Sequence, residues 1–455
     1  MSLSSLFSIA RSALLAHQRA MSVTAHNVAN AQTPGYSRQR LDLVPADPLR
    51  GPLGTIGRGV TEAGISRARD RFFDAAFRRE SGLLSGSGTL ANLLSQVEAA
   101  VHEPSDVGIA ATLDGMFKSF ADLANDPSSG PNRELVRQAA TRLIQQLHQL
   151  DAQIGAVAQD AVDRMKSEVA EVNSLASRIA ALNSEILSAG GPGRSAPDLE
   201  DQRDLLVDRL SSMISVRVLQ REDGTISVLA GDTMLVDAAA AQSLAVQPLA
   251  TGGFRLVSAV GGGTVDPGSG SLKALVDLTT TTLPGIQLQL DKLAAAIVTE
   301  VNAIHRTGYT PAGSTGTDFF DPSGVTARTI ALAPPIAASG SAIAAGGTAA
   351  PGDGSIAQRI ADLAGARVGS LGGKSLREFY VEIAASVGLD VLHATQDAET
   401  QQALVDQAEL QRSSVSGVSI EEEMIALIAQ QQAYSAATRI ITAADEMIQD
   451  LLNMI

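Results

Sequence analysis

Cysteine and tryptophan are absent from the 455-residue chain, and its aromatic residues number only ten Phe and four Tyr. Without cysteine there is no disulfide, no thiolate nucleophile and no Cys-ligated metal. So few rings argue against an aromatic-lined pocket and against a compact β-sandwich core. Basic residues are the scarcer charge: 34 Lys and Arg against 49 Asp and Glu leave a formal net charge of −15. That balance excludes a nucleic-acid binder. Long apolar runs are missing too. The longest uncharged stretch, Thr329 to Gly352, is broken by Pro334, Pro335 and Pro351 and does not read as a membrane span. Met1 to Ala10 carry no basic residue, and Arg11, His17 and Arg19 interrupt the apolar character of the next turns, so no Sec-type leader is expected.

Catalytic constellations are equally wanting. The six histidines (His17, His26, His102, His148, His305, His393) are scattered, with no H-E-x-x-H pair. No G-x-S-x-G elbow occurs. Gly372-Gly373-Lys374-Ser375 ends like a phosphate-binding loop, but Val368 stands where its first glycine is required. Glu421, Glu422 and Glu423 suit the positive end of a helix dipole. The reading is a non-enzyme with no catalytic residue, no metal and no cofactor.

What the chain has is helix. Apolar residues make up 45% and charged residues 18%, enough for packed cores. Leu3, Phe7, Ala10, Leu14, His17, Met21, Thr24 and Val28 alternate steps of four and three, a heptad seam on one helix face. Asn30 should end this helix, because Thr33-Pro34-Gly35 comes next. At the other end Leu427, Tyr434, Ile441 and Ile448 recur every seventh residue, with Ala437, Ala444, Leu451 and Ile455 completing the seam. Ser419 is the expected N-cap. Residues 1–50 carry five Arg against two acids, and residues 419–455 carry six acids against one Arg. Two readings stay open: surface helices of one globule, or ends that pair with each other and with other subunits.

From Asn132 to Ser188 there is no proline, and a seam from Leu143 to Ile186 predicts one very long helix or two nearly collinear ones. Further helices are expected near 72–100, 107–124, 198–212, 284–305, 355–364 and 375–412. Short β-branched runs between Ser215 and Val257, separated by glycine turns, predict a meander. The fold class is therefore mainly α. Residues 1–33 with 415–455 form a coiled-coil-like terminal domain and 34–70 an extended, irregular connector. Residues 71–212 with 280–306 and 355–414 form an elongated helical bundle. A small β-rich region occupies 213–279, and 307–354 is a Gly/Pro/Ala-rich reduced insertion.

Ala25-His26-Asn27-Val28-Ala29-Asn30-Ala31-Gln32-Thr33-Pro34-Gly35-Tyr36, continued by Ser37 and Arg38, resembles the N-terminal signature of the bacterial flagellar rod, hook and hook-associated proteins. Asp201-Gln202-Arg203-Asp204-Leu205-Leu206-Val207 and Asn302-Ala303-Ile304-His305-Arg306-Thr307-Gly308-Tyr309, with Asp318-Phe319-Phe320 beyond, are similar to internal motifs of the hook-associated branch. Gln431-Gln432-Ala433-Tyr434 and Thr442 to Met447 resemble the family's C-terminal helix. The resemblance implies a structural subunit of the flagellum, exported by the type III apparatus and placed outside the cell at the hook–filament junction. The alternative is a hook or distal rod subunit. It implies as partners the hook protein, a second junction protein (hook-associated protein 3), further copies in a helical tube, and an export chaperone on the C-terminal region. No nucleic acid and no membrane insertion are expected. Relatives often carry a large β domain after the Phe-Phe motif; here about 35 residues separate Asp321 from Ile356, so that domain is reduced or missing.

Overall fold

The computed structural model describes residues 3–51, 54–101, 103, 105–190, 195–250 and 252–453. Long runs free of internal proline give its longest elements. Helix α1 spans Leu3–Asn30 and stops where the Thr33-Pro34-Gly35 turn begins. The segment 34–70 departs from the expected irregular connector. It forms an antiparallel hairpin: β1 (Gln39–Pro45) pairs with β4 (Val60–Arg67), Gln39 opposite Arg67, around the smaller pair β2 (Leu49–Gly51) and β3 (Gly54–Ile56). A register shift between Asp42 and Leu43 breaks the alternation that would have announced β1.

Four helices come after the hairpin: α2 (Arg71–Val101), α3 (Ile109–Asn125), α4 (Gly130–Gly190) and α5 (Pro197–Met213). The 61 residues of α4 make one continuous rod, about 90 Å long at 1.5 Å per residue. Its seam residues Leu143, Leu147, Leu150, Ile154, Val172 and Ile179 are all buried against the other helices. The middle region is two small antiparallel sheets. One is the meander β5 (Val216–Gln220), β6 (Ile226–Ala230), β7 (Thr233–Asp237) and β8 (Ala240–Ala241). The other is β9 (Leu244–Pro248), β10 (Phe254–Ser258) and β11 (Thr264–Val265). Helix α6 (Ser271–Asp277) then runs through a π turn at Leu278–Thr282 into α7 (Leu283–His305).

Residues 307–354 are more than an outlying insertion. Phe319, Phe320, Ile330, Ile336 and Ile343 are buried in the main core, and Phe319 stacks 5.3 Å from Phe120 of α3. The motif residues explain the placement. Asn302 on α7 accepts from the backbone N–H groups of Phe319 and Phe320 at 2.9 Å each and donates to Phe320 O at 2.8 Å. His305 holds Thr317 and Ala344 in the same way. Small residues let this irregular chain lie close to the bundle, which composition alone does not reveal. Helix α8 (Pro334–Ala338) sits within it, and α9 (Ser355–Ala361) comes after it.

Gly372-Gly373-Lys374-Ser375 is a helix start rather than a phosphate loop. Ser375 caps α10 (Leu376–Ser416) in a reciprocal box with Glu378. Helix α10 runs antiparallel to α2: Tyr380 Oη donates to Val101 O at 3.3 Å near one end, and the Arg412 guanidinium lies 4.0 Å over the Phe77 ring near the other. Helix α11 (Ile420–Asn453) returns beside α1, where Asn27 meets Glu423 and His17 meets Gln430. Among the described residues, the apolar core of the body takes no side chain from α1 or α11. No helix among them is long and apolar enough to cross a membrane.

Candidate assembly surface and the polar knot at its base

Pairing of α1 with α11 uses the small seam positions for closest approach. Ala10, Thr24, Ala437 and Ala444 are buried, whereas Phe7, Leu14, Met21, Val28, Leu427, Ile441 and Ile448 are half-buried and Tyr434 is exposed. His17 is a polar seam position, its Nδ1 2.6 Å from Gln430 Oε1. The side chains of Leu3 and Leu451 lie outside the described residues, and so does Ile455. One partner helix leaves much apolar surface uncovered. Ile420, Met424 and Ile428 climb α11 in steps of four on one flank of the seam, and Ile440 and Met447 stand on the other. Ile425 is 69% exposed. Helix α11 therefore carries an apolar stripe wider than α1 covers.

The signature residues make the joint that holds this pair to the body. Tyr36 N–H donates to Thr33 O at 3.2 Å across Pro34-Gly35, and Gly35 has φ +79°, as a type II turn requires. That turn presents Tyr36 to Asn27, whose side chain is fully used. Asn27 Oδ1 accepts from Tyr36 Oη (2.8 Å) and Gln39 N (3.0 Å), and Nδ2 donates to Gln39 O and Glu423 Oε2 (both 2.9 Å). Thr33 Oγ1 donates to Asn30 Oδ1, and Asn30 Nδ2 donates to His26 O. Ser37 gives both its N–H and its hydroxyl to Asp201 at 2.8 and 2.7 Å. Arg38 Nε donates to Glu423 Oε1 at 2.7 Å, and its Nη1 to Glu422. Glu423, only 3% exposed at its side chain, thus does more than meet a helix dipole.

Beneath the signature loop lies an ion-pair cluster that periodicity and motif matching do not reveal. Asp201, Asp204 and Asp208 project from one face of α5 at steps of three and four. Arg67 donates to Asp201 and Asp204 at 2.7 and 2.8 Å, Arg69 to Asp204 and Asp74 at 2.9 and 2.7 Å. Arg78 and Arg412 both reach Asp208, at 2.6 and 2.7 Å. Burial would raise the Asp204 pKa, but Arg69, Arg67 and Arg78 outweigh it and hold the carboxyl below its ordinary range. Burial would lower Arg67 and Arg69; the facing carboxylates, Asp204 foremost, hold both above the usual guanidinium value. Tyr36 is pushed up, by burial first and then by Asp198, Asp201 and Glu423, so it stays a neutral donor. The sequence signal for this cluster is the acidic spacing on α5 set against the basic run Arg67, Arg69, Arg71.

Two family motifs, 160 and more residues apart in the chain, are thus one physical object. Residues 94–320 match the family described as flagellar hook-associated protein FlgK helical domain. Residues 7–36 match flagella basal body rod protein, and 403–454 match flagellar basal body rod FlgEFG protein C-terminal. Flagellar hook-associated protein 1 of Bacillus subtilis is 30% identical over 98% of this chain and 97% of its own length. The chain belongs to the flagellar hook-associated protein 1 family. The family members of Salmonella typhimurium and Escherichia coli are 30% and 29% identical over 70% of this chain, which spans only 59% and 60% of their lengths. The flagellar hook junction protein FlgK from Burkholderia pseudomallei shares the fold, with a TM-score of 0.66 at 18% identity over 75% of this chain and all of that one. The family is structural, not enzymatic.

Proposed function

We propose that this chain is the structural subunit that joins hook to filament in a bacterial flagellum, assembled through its paired terminal helices after type III export. The observation that carries the reading is the uncovered apolar stripe of α11, held at a defined angle by the Asn27–Glu423 knot. Such a stripe is covered when neighbouring copies stack α1–α11 pairs into a tube. The seam residues Leu3, Phe7, Leu14, Met21, Val28, Leu427, Tyr434, Ile441, Ile448, Leu451 and Ile455 then serve within the pair, and the flanking residues between pairs. Signature residues from Asn27 to Arg38 act as the hinge pin between tube and body.

The partners in this reading are the hook protein on one side, hook-associated protein 3 on the other, and like copies around the ring. An export chaperone would cover the α11 stripe before assembly, which keeps it from aggregating. The working location is outside the cell, at the hook–filament junction. Labelled protein on purified hook–filament complexes tests this: label confined to a band between hook and filament is expected. Label along the hook or in the rod would favour a hook or distal rod subunit instead.

A further inference from the structure

A cavity of about 660 Å³ opens beside the knot, where the start of α2 faces α5 and β5. Arg67, Arg69, Arg71, Arg78, Arg79 and Arg217 line it, facing Asp74, Glu200 and Asp204. Three of these cations are already matched. Arg67 meets Glu200, Asp201 and Asp204, Arg69 meets Asp74 and Asp204, and Arg79 meets Glu80. Three donors are not. Arg78 pairs through Nε with Asp208, but its Nη2, 3.9 Å from Asp204, has no hydrogen-bond partner although the side chain is only 10% exposed. Among the described residues Arg71 and Arg217 have no side-chain partner at all, and both are exposed on the same cavity.

A buried charged N–H without an acceptor is costly, so the site is built for something that accepts. The volume is that of a small-molecule site and far more than one water fills. Guanidinium forks match the oxygens of phosphate-like groups and bind them in pairs of hydrogen bonds. Ile65, Ala75, Val216 and Val218 supply an apolar side to the same space. The geometry points to a binding site for a small polyvalent oxyanion of the phosphate class, held by Arg78 at depth and by Arg71 and Arg217 from the rim. Occupation ties α2 to β5 beside the base of the chain-end pair. This inference does not depend on assembly, because the monomer contains every residue of the site.

The test titrates inorganic phosphate into the full chain at constant ionic strength, with acetate in a parallel series, following heat of binding and Tm. A saturable phosphate signal is expected, with acetate at least tenfold weaker. Arg71→Gln/Arg217→Gln should weaken phosphate at least tenfold while leaving the unliganded Tm unchanged, since neither side chain has a partner to lose. Arg78→Lys keeps the charge beside Asp208 but removes Nη2, and should weaken phosphate as well. Non-saturating rises, equal responses to phosphate and acetate, or undiminished binding by the double variant would each overturn the site.

Discussion

Asn27 and Glu423, 396 residues apart, share a buried 2.9 Å hydrogen bond that fastens the two ends of the chain together. Asn27 has no bond to spare, since it also serves Tyr36 and Gln39, and Glu423 also accepts from Arg38. Asn27→Ala should therefore cost about 1–3 kcal/mol, the range for leaving buried polar groups unpaired. Because the cost falls on docking, hydrogen exchange should quicken first at the start of α11 and in 36–39. Uniform destabilisation of the body with no local opening would contradict the knot.

Gly35 offers a second point of attack. Its φ of +79° strains any other residue, and an added Cβ would lie 3.3 Å from Leu205 Cδ1, which would have to give way slightly. Gly35→Ala should lose about 1–2 kcal/mol, the usual strain of a left-handed residue. Denaturant midpoints of the two proteins measure it.

The knot also sets the acid limit. Asp204 has a folded pKa below its unfolded value of about 3.9. Its contribution is fully present above that unfolded value and is lost as pH falls through the folded one. Asp204→Asn strips Arg67 and Arg69 of a shared partner and should cost about 3–5 kcal/mol at pH 7. The gap between variant and parent should shrink below about pH 4. Urea unfolding at pH 7 and pH 3 reads both numbers; a constant gap would mean that Asp204 titrates alike in the folded and the unfolded chain.

His305 acts at a milder pH. Its Nδ1–H donates to Thr317 O at 2.7 Å and its Nε2 accepts from Ala344 N at 2.8 Å, so the buried ring is neutral. Burial holds its pKa down; Asp318 pulls the other way, and Arg133, which donates to Ile343 O, adds to the lowering. The stability it contributes is present above the unfolded value of about 6.5 and falls as pH drops toward the folded one. Protection factors at 343–345, which allow for the slower intrinsic exchange at low pH, should therefore fall from pH 7 to pH 5, and His305→Gln should remove that dependence. A flat profile in the parent protein would refute it.

How much of this is written in the sequence differs by element. Helices α4 and α11 are legible because their apolar seams recur over dozens of residues, and α10 because Leu376 to Ser416 contain no proline. The β1–β4 hairpin is not, since a bulge at Asp42 and nearby prolines hide its alternation. Residues 307–354 look too poor to build a core, yet Phe319 and Phe320 reach it through backbone bonds to Asn302. Signature residues Asn27 and Ser37 stand out as a motif, but their partners Glu423 and Asp201 lie 396 and 164 residues away. Periodicity reports local faces; it does not report which distant faces meet.

Removal of residues 417–455 should leave the body folded, because its apolar core draws on nothing beyond α10. A cooperative melt of the truncated chain checks this, and a broad non-cooperative one would place α11 in the body.

Ile425 and Ile428 are 69% and 50% exposed on the face of α11 that α1 leaves bare. Ile425→Asp/Ile428→Asp should change monomer stability by no more than about 0.5 kcal/mol per site, as for other surface positions. Added to hook-only basal bodies, the parent chain should cap nearly every hook in electron micrographs, and the double variant should cap almost none. Equal capping by both would contradict the claim that this stripe is the assembly surface.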